Sequence, residues 1–394
     1  MPTSIAIGFS QAEDPKDAAH QACVLVKNQL NSITTDMVII FASIHYCSKE
    51  VLSVIHTILK PARLVGSSSA SIIFSEDIYK RGLAILAINS QDLNFAVAST
   101  SYHPGDPLDQ IGFEFGRKIN ADYKSSITRQ ASIIFCDGLS LYDDQLLRGM
   151  KELLGRSLLI AGAFSCDDFK LKRTFQFYQQ DLLSKSVVGF LFGSNSAVAF
   201  SNKHGFRPLG KPRTITRVEG TVIQTIDHKP AISIYEEFLK DDAKNLKKGL
   251  LKSSIDHYPL GIYLEDQQQY LLRYPVDILN DGSIVCQASV PLNSEVHLTI
   301  SNKDSCKNAA AEAAQEIKMA LAGRQPQILI VFESMVRHRT LSQYSFIEIQ
   351  TIKEILGYST PLIGMSSFGE LCPAGLDENK TNLQNGSISL LAIC

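Results

Sequence analysis

Three stretches of this chain repeat one pattern of apolar and polar positions. An unbroken apolar run ends in Phe in Met37-Val-Ile-Ile-Phe-Ala-Ser43, in Ala131-Ser-Ile-Ile-Phe-Cys-Asp137 and in Ile328-Leu-Ile-Val-Phe-Glu-Ser334. Runs without polar alternation predict strands covered on both faces. Each is followed by apolar residues at helical spacing, most clearly Leu146, Leu147, Met150, Leu153 and Leu154. A second short apolar strand then ends at Gly66, Gly162 or Gly364, with small or polar residues after it. Glycine there lets the backbone turn tightly or approach another group closely. A strand and a long helix are predicted before each unit: Ser4–Phe9 with Gln11–Leu30, Phe95–Thr100 with Leu108–Tyr123, and His297–Ser301 with Ser305–Ala322. A closing strand is predicted after each, at Gly82–Ile88, Val187–Phe192 and Ser387–Ile393.

The plan is therefore strand–helix–strand–helix–strand–strand, repeated in three related units. It predicts an α/β fold of layered sheets and helices in two domains. Parallel and mixed sheets both remain open. The first domain takes residues 1–225, with units at about 1–92 and 93–205; the second takes 226–394, with an insertion at 226–295 and the third unit at 296–394. Strand signals in and just before the insertion are Thr214–Val218, Gly220–Ile226, Gly261–Leu264 and Tyr270–Tyr274, and Asn280-Asp-Gly-Ser283 is a hairpin turn signal. A Lys-rich helix is predicted around 240–252, and it reads first as a solvated face.

Composition narrows the function classes without naming one. The 38 Lys and Arg against 40 Asp and Glu give a net charge of −2, which argues against a broad nucleic-acid footprint. No apolar run approaches the roughly 18 residues of a membrane span, and no secretory signal precedes Phe9. A cytoplasmic protein with no membrane or nucleic-acid partner is expected. The eight cysteines are scattered without a Cys-x-x-Cys pair and read as reduced, mostly buried thiols. There is no nucleophile elbow, P-loop, dinucleotide fingerprint or His-Glu-x-x-His, so no cofactor and no metal is expected.

Order and spacing over most of the chain, from about residue 35 to the end, resemble the FIST family, with its FIST N and FIST C regions. The resemblance is carried by Phe41-Ala-Ser43, Val65-Gly-Ser-Ser68, Ala161-Gly-Ala-Phe-Ser-Cys-Asp-Asp168, Thr174-Phe-Gln-Phe177 and Pro230-Ala-Ile-Ser-Ile-Tyr235. It continues through Tyr258-Pro-Leu-Gly-Ile262, Leu272-Arg273, Asp281-Gly-Ser283, Phe332–Arg337, Gly369-Glu370 and Gln384-Asn-Gly-Ser-Ile388, which includes Asn385. It implies a cytoplasmic sensory module that binds a small ligand, an amino acid or a related metabolite. Two positions depart from the family pattern. Ser71-Ile72 stands where a Gly-Glu pair is usual, and Glu333-Ser334-Met335 replaces a stretch that carries Cys.

The strand ends of an α/β sheet are where ligands collect. Three equivalent ends carry Gly66, Ser67 and Ser68; Gly162, Asp167 and Asp168; and Gly364, Ser366 and Glu370. Backbone N–H groups and serine hydroxyls there suit a carboxylate. Arg337 would clamp the same anion, and Asp167, Asp168 and Glu370 would hold an ammonium group. The expectation is a sensor that binds an amino-acid-like ligand without catalysis and signals through a separate protein. A protein-interaction scaffold using the Lys-rich segment and a serine-dependent hydrolase using one of the three turns are the alternatives.

Overall fold

The architecture is that of a computed structural model, which describes residues 3–30, 34–140, 144–239, 258–265, 269–374 and 377–394. Each Phe-ending run is a strand that pairs in parallel with the Gly-containing strand of its own unit. Thr35–Ser43 lies beside Pro61–Ser69, Arg129–Asp137 beside Leu159–Ser165, and Ile328–Ser334 beside Leu362–Ser367. The register is the same in all three: Ile40 faces Gly66, Ile134 faces Gly162 and Val331 faces Gly364. A Cβ at any of these glycines would overlap the carbonyl oxygen of its register partner, so close strand approach explains the glycine each time. Helices Lys49–Leu59, Gln145–Leu154 and Phe346–Leu356 supply the crossovers that parallel neighbours require.

The sheets are mixed. On its other edge each Phe strand pairs antiparallel with the closing strand of its unit: Leu83–Asn89, Ser186–Ser194 or Ile388–Ile393. The closing strand pairs antiparallel with a leading strand. In the first two units that strand is Ser4–Ser10 or Leu93–Ser101, as predicted. In the third it is Val198–Lys203, and this corrects the sequence reading. The strand expected in that role at His297–Ser301 is observed as Glu295–Ile300 and belongs to a separate antiparallel sheet. The segment from Arg207 to Ile300 thus enters between the leading strand of the third unit and its first helix, Lys303–Ala320. The inserted sheet has its own core of Ile215, Ile223, Tyr235, Ile262, Val296 and neighbours. The Asp281-Gly-Ser turn closes its Pro275–Cys286 hairpin as predicted, with Gly282 at φ +85°.

Short hairpins that sequence periodicity did not reveal complete the sheets by exchange. Ile72–Tyr79 of the first unit joins the sheet of the third, and Gln176–Leu183 of the second joins that of the first. Glu370–Gln384 of the third joins that of the second. The exchange is cyclic, so each sheet is finished by a neighbour. Alternate residues of all three sheets point into one shared core. At its centre Phe41, Phe135 and Phe332 meet edge to face, with ring centroids 5.7, 6.1 and 6.3 Å apart. The opposite faces carry the helices of each unit over three further apolar clusters. All eight cysteines are free.

Candidate functional site

Two residues beyond each central Phe the inner face changes from apolar to polar. Ser69, Ser165 and Ser367 stand at equivalent register, opposite Ser43, Asp137 and Ser334. The three exits touch one another. Ser67 and Ser165 share a hydroxyl hydrogen bond of 2.7 Å, and Ser68 Oγ donates to the Cys166 carbonyl at 2.9 Å. Ser69 Oγ donates to the Ser366 carbonyl at 2.9 Å, and the Cys166 thiol donates to that same oxygen at 2.9 Å. The Ala70 N–H in turn donates to Cys166 Sγ at 3.0 Å, so this thiol bridges all three turns. Burial pushes the Cys166 thiol well above its usual range, which keeps it a donor.

The exchanged hairpins place one further side chain in each sheet. Register aligns Gln176 beside Ser67, Glu370 beside Ala163 and Ile72 beside Met365. The Ser71-Ile72 departure from the family pattern is therefore the first-unit counterpart of Gly369-Glu370. Gln176 Nε2 donates to Ser165 Oγ at 3.0 Å. Glu370 accepts from the hydroxyls of Ser367 and Ser387, each at 2.6 Å. Burial outweighs those hydrogen bonds and pushes its carboxyl up to about 8. Glu333 is also completely buried, and burial followed by the Glu348 charge lifts it well above the carboxylate range. In both, burial favours the protonated form.

The other residues singled out by sequence have different surroundings. Asp167 is buried and accepts the backbone N–H groups of Leu171, Lys172 and Arg173, which makes it the cap of its own turn. Asp168 is on the surface, paired with Lys170 at 2.6 Å. Arg337 requires a correction. It is fully buried, and all its N–H donors are committed: to both oxygens of Glu348 and to the carbonyls of His204, Gly386 and Cys306. No donor remains for a ligand anion. The reason is a helix contact that spacing does not show, since Glu348 lies on Phe346–Leu356 beneath the guanidinium. The Lys-rich segment at 240–252 lies outside the described residues.

Sequence reasoning missed Gln176, His338 and Glu333. His338 Nε2 is 2.7 Å from Ser366 Oγ, and Nδ1 is 3.1 Å from Ser345 Oγ. Burial, with Lys80 and Arg337 nearby, depresses the ring to about 4. Three buried side chains beside the exits carry polar atoms without a hydrogen-bond partner: Gln176 Oε1, Asn385 Oδ1 and both carboxyl oxygens of Glu333. Asn385 spends its amide N–H groups on Gln287 and the Phe368 carbonyl. The repeat offered one signal for Gln176, because it occupies the place of Glu370 in the second unit.

Among the described residues no helix is long and apolar enough to cross a membrane. An uncharacterized protein of Mycobacterium tuberculosis is 21% identical over 384 residues, covering 94% of each chain. An uncharacterized protein of Methanocaldococcus jannaschii is 26% identical over 167 residues, or 37% of this chain and 32% of that one. Among solved structures, cyanuric acid hydrolase from A. caulinodans aligns over 99% of both chains with a TM-score of 0.38 and 8% identity. The FIST N domain matches residues 36–229 and the FIST C domain residues 231–373. With both domains matched in order over nearly its whole length, the chain belongs to the FIST family of sensory domains.

Proposed function

We propose that this protein is a cytoplasmic sensor of a small polar metabolite that carries N–H donors, an amino acid or a close relative, held where the three exits meet. The observation that carries this reading is the pair of unanswered acceptors, Gln176 Oε1 and Asn385 Oδ1, buried beside the junction. A buried acceptor left unpaired costs about 1–3 kcal/mol, so two of them favour a guest that brings donors. Ammonium and amide N–H groups are donors that answer such acceptors. Glu370 and the hydroxyls of Ser67 and Ser366 complete the polar wall. Gly66, Gly162 and Gly364 let the strands close, Asp167 shapes the second exit, and Arg337 fixes the turn at Gly386. Because the junction is buried, a guest enters only as the exits part. That coupling lets a separate signalling protein read occupancy from the surface.

The test is a thermal-shift panel of the common amino acids, their amides and small ureas at millimolar concentration. A ligand at a hundred times its dissociation constant adds about 2.7 kcal/mol of stability, enough to raise the melting temperature by several degrees. The same panel is run on Gln176→Leu, which removes an unpaired acceptor and is expected to match or exceed the wild type in stability without ligand. Loss of the response in that variant supports the junction. An unchanged response there, or no response in the wild type, contradicts it.

A further inference from the structure

The third exit differs chemically from the other two. Register makes Ser68, Phe164 and Ser366 equivalent. Ser68 is committed to backbone, donating to the Cys166 carbonyl and accepting the Phe175 N–H at 2.9 Å. Phe164 has no hydroxyl. Ser366 directs its hydroxyl at an imidazole, His338 Nε2, 2.7 Å away.

The proton inventory around that ring fixes its tautomer. Ser345 Oγ donates to the Ser342 carbonyl at 2.9 Å, so it can only accept from His338 Nδ1, 3.1 Å away. Nδ1 therefore carries the N–H and Nε2 the lone pair, and Ser366 is the donor. This is the tautomer that a general base needs. The charged and titratable groups around the ring are Lys80, Arg337 and Glu333. The first two repel a second proton and so favour the free base. Glu333 is the register partner of Ser366, and its Oε2 lies 3.5 Å from the same Nε2. It is fully buried and its oxygens have no hydrogen-bond partner, and burial raises its carboxyl, which favours the protonated form that can offer an O–H beside the serine. His338 lies on the short segment Arg337–Tyr344, in which Ser342 sits at φ +55°, a strained position for a residue with a side chain. The His338 side chain keeps 15% exposure, whereas Ser366 is fully buried.

We propose that Ser366 is a nucleophile, activated by His338 and supported by Ser345 as a positioning residue, that takes the acyl group of a small ester or amide. Ser366 Oγ bonds to the carbonyl carbon as its proton passes to His338 Nε2. The carbonyl oxygen becomes an oxyanion that accepts the Glu333 O–H. Collapse breaks the bond to the leaving group, which departs with the proton from His338. Water then attacks the acyl ester, its proton passing to His338 and on to Ser366 Oγ as the acid is released. This goes beyond a purely binding sensor and shares with that reading the Ser366 hydroxyl at the third exit, while the binding reading rests on Gln176 and Asn385, so each can fail alone.

The experiment treats the full chain with a fluorophosphonate, which forms a serine–phosphorus bond with loss of fluoride, and maps the adduct by mass spectrometry. The expected result is one adduct, on Ser366. Its rate shows no inflection near 6.5, where an unperturbed imidazole titrates. His338→Gln slows labelling by about 100-fold or more, the contribution of a general base. Ser345→Ala slows it less, and Ser345→Thr, which keeps the acceptor for Nδ1, restores the wild-type rate. Ser366→Ala abolishes labelling. If that variant does not fold, Ser366→Cys is used, and its new thiol is expected to take iodoacetamide ahead of the eight native cysteines. An adduct on another serine, no adduct on folded protein, a rate indifferent to His338→Gln, or an unreactive Cys in Ser366→Cys overturns the proposal. Metabolite thermal shifts that persist in an unlabelled protein leave the binding site standing.

Discussion

Arg337 and Glu348 are both fully buried, and each satisfies the other. Removing one partner leaves a bare charge in the core. Glu348→Ala is expected to cost about 3–5 kcal/mol in denaturant unfolding, whereas Arg337→Met combined with Glu348→Leu costs much less, because it strands no charge. Glu370 makes a pH prediction. Its folded value of about 8 lies above that of a free carboxyl, about 4.3, so the folded chain keeps a proton that the unfolded chain releases. Stability from this group is complete below about 4.3 and is lost as pH rises towards about 8. Glu370→Gln is permanently neutral and flattens the stability profile across that window. His204 and His338 act at the acid end. Both sit at about 4, so protonation of the unfolded chain below about 6.5 destabilises the fold as pH falls.

At the scale of elements, the strands built from unbroken apolar runs were legible, because burial on both faces leaves a signature in any window of the sequence. Gly66, Gly162 and Gly364 marked the right places, though for strand contact. Hairpins of three-residue strands, such as Ile72–Phe74 with Asp77–Tyr79, are too short to carry a period, and their partners lie in another unit. The leading strand of the third unit, Val198–Lys203, was obscured because about 100 residues of inserted sheet separate it from the helix it precedes. Ser67, Ser68, Ser366 and Glu370 stood out as site candidates because the repeat singles out exit loops, and Asn385 because of the family resemblance. His338 and Gln176 were not, since their roles arise from contacts across 28 and 11 residues that only folding creates. The exchanged hairpins give an element-scale prediction. Ile72→Asp puts a charge into the shared core and is expected to destabilise the third sheet as well as the first, seen as lost hydrogen-exchange protection in Ile328–Ser334 and Leu362–Ser367.

The whole molecule is held by one core that no unit can complete alone. The Phe41, Phe135 and Phe332 cluster joins three sheets, and each sheet is finished by a hairpin from a neighbour. The three units are therefore expected to unfold in one cooperative step, while the inserted sheet, with a separate core, opens at lower free energy; native-state hydrogen exchange distinguishes the two protection classes. Phe135→Ala is expected to cost about 3–5 kcal/mol and to loosen all three sheets together. The same threefold closure brings the polar exits to one point, so the sensory reading rests on what that point holds. The most direct measurement is the side-chain amide NMR signals of Gln176 and Asn385 during titration with the metabolite that raises the melting temperature most. Saturable shifts of both signals, with the same dissociation constant as the thermal response, are predicted. Thermal stabilisation with both amides unmoved would place the guest elsewhere and contradict the account.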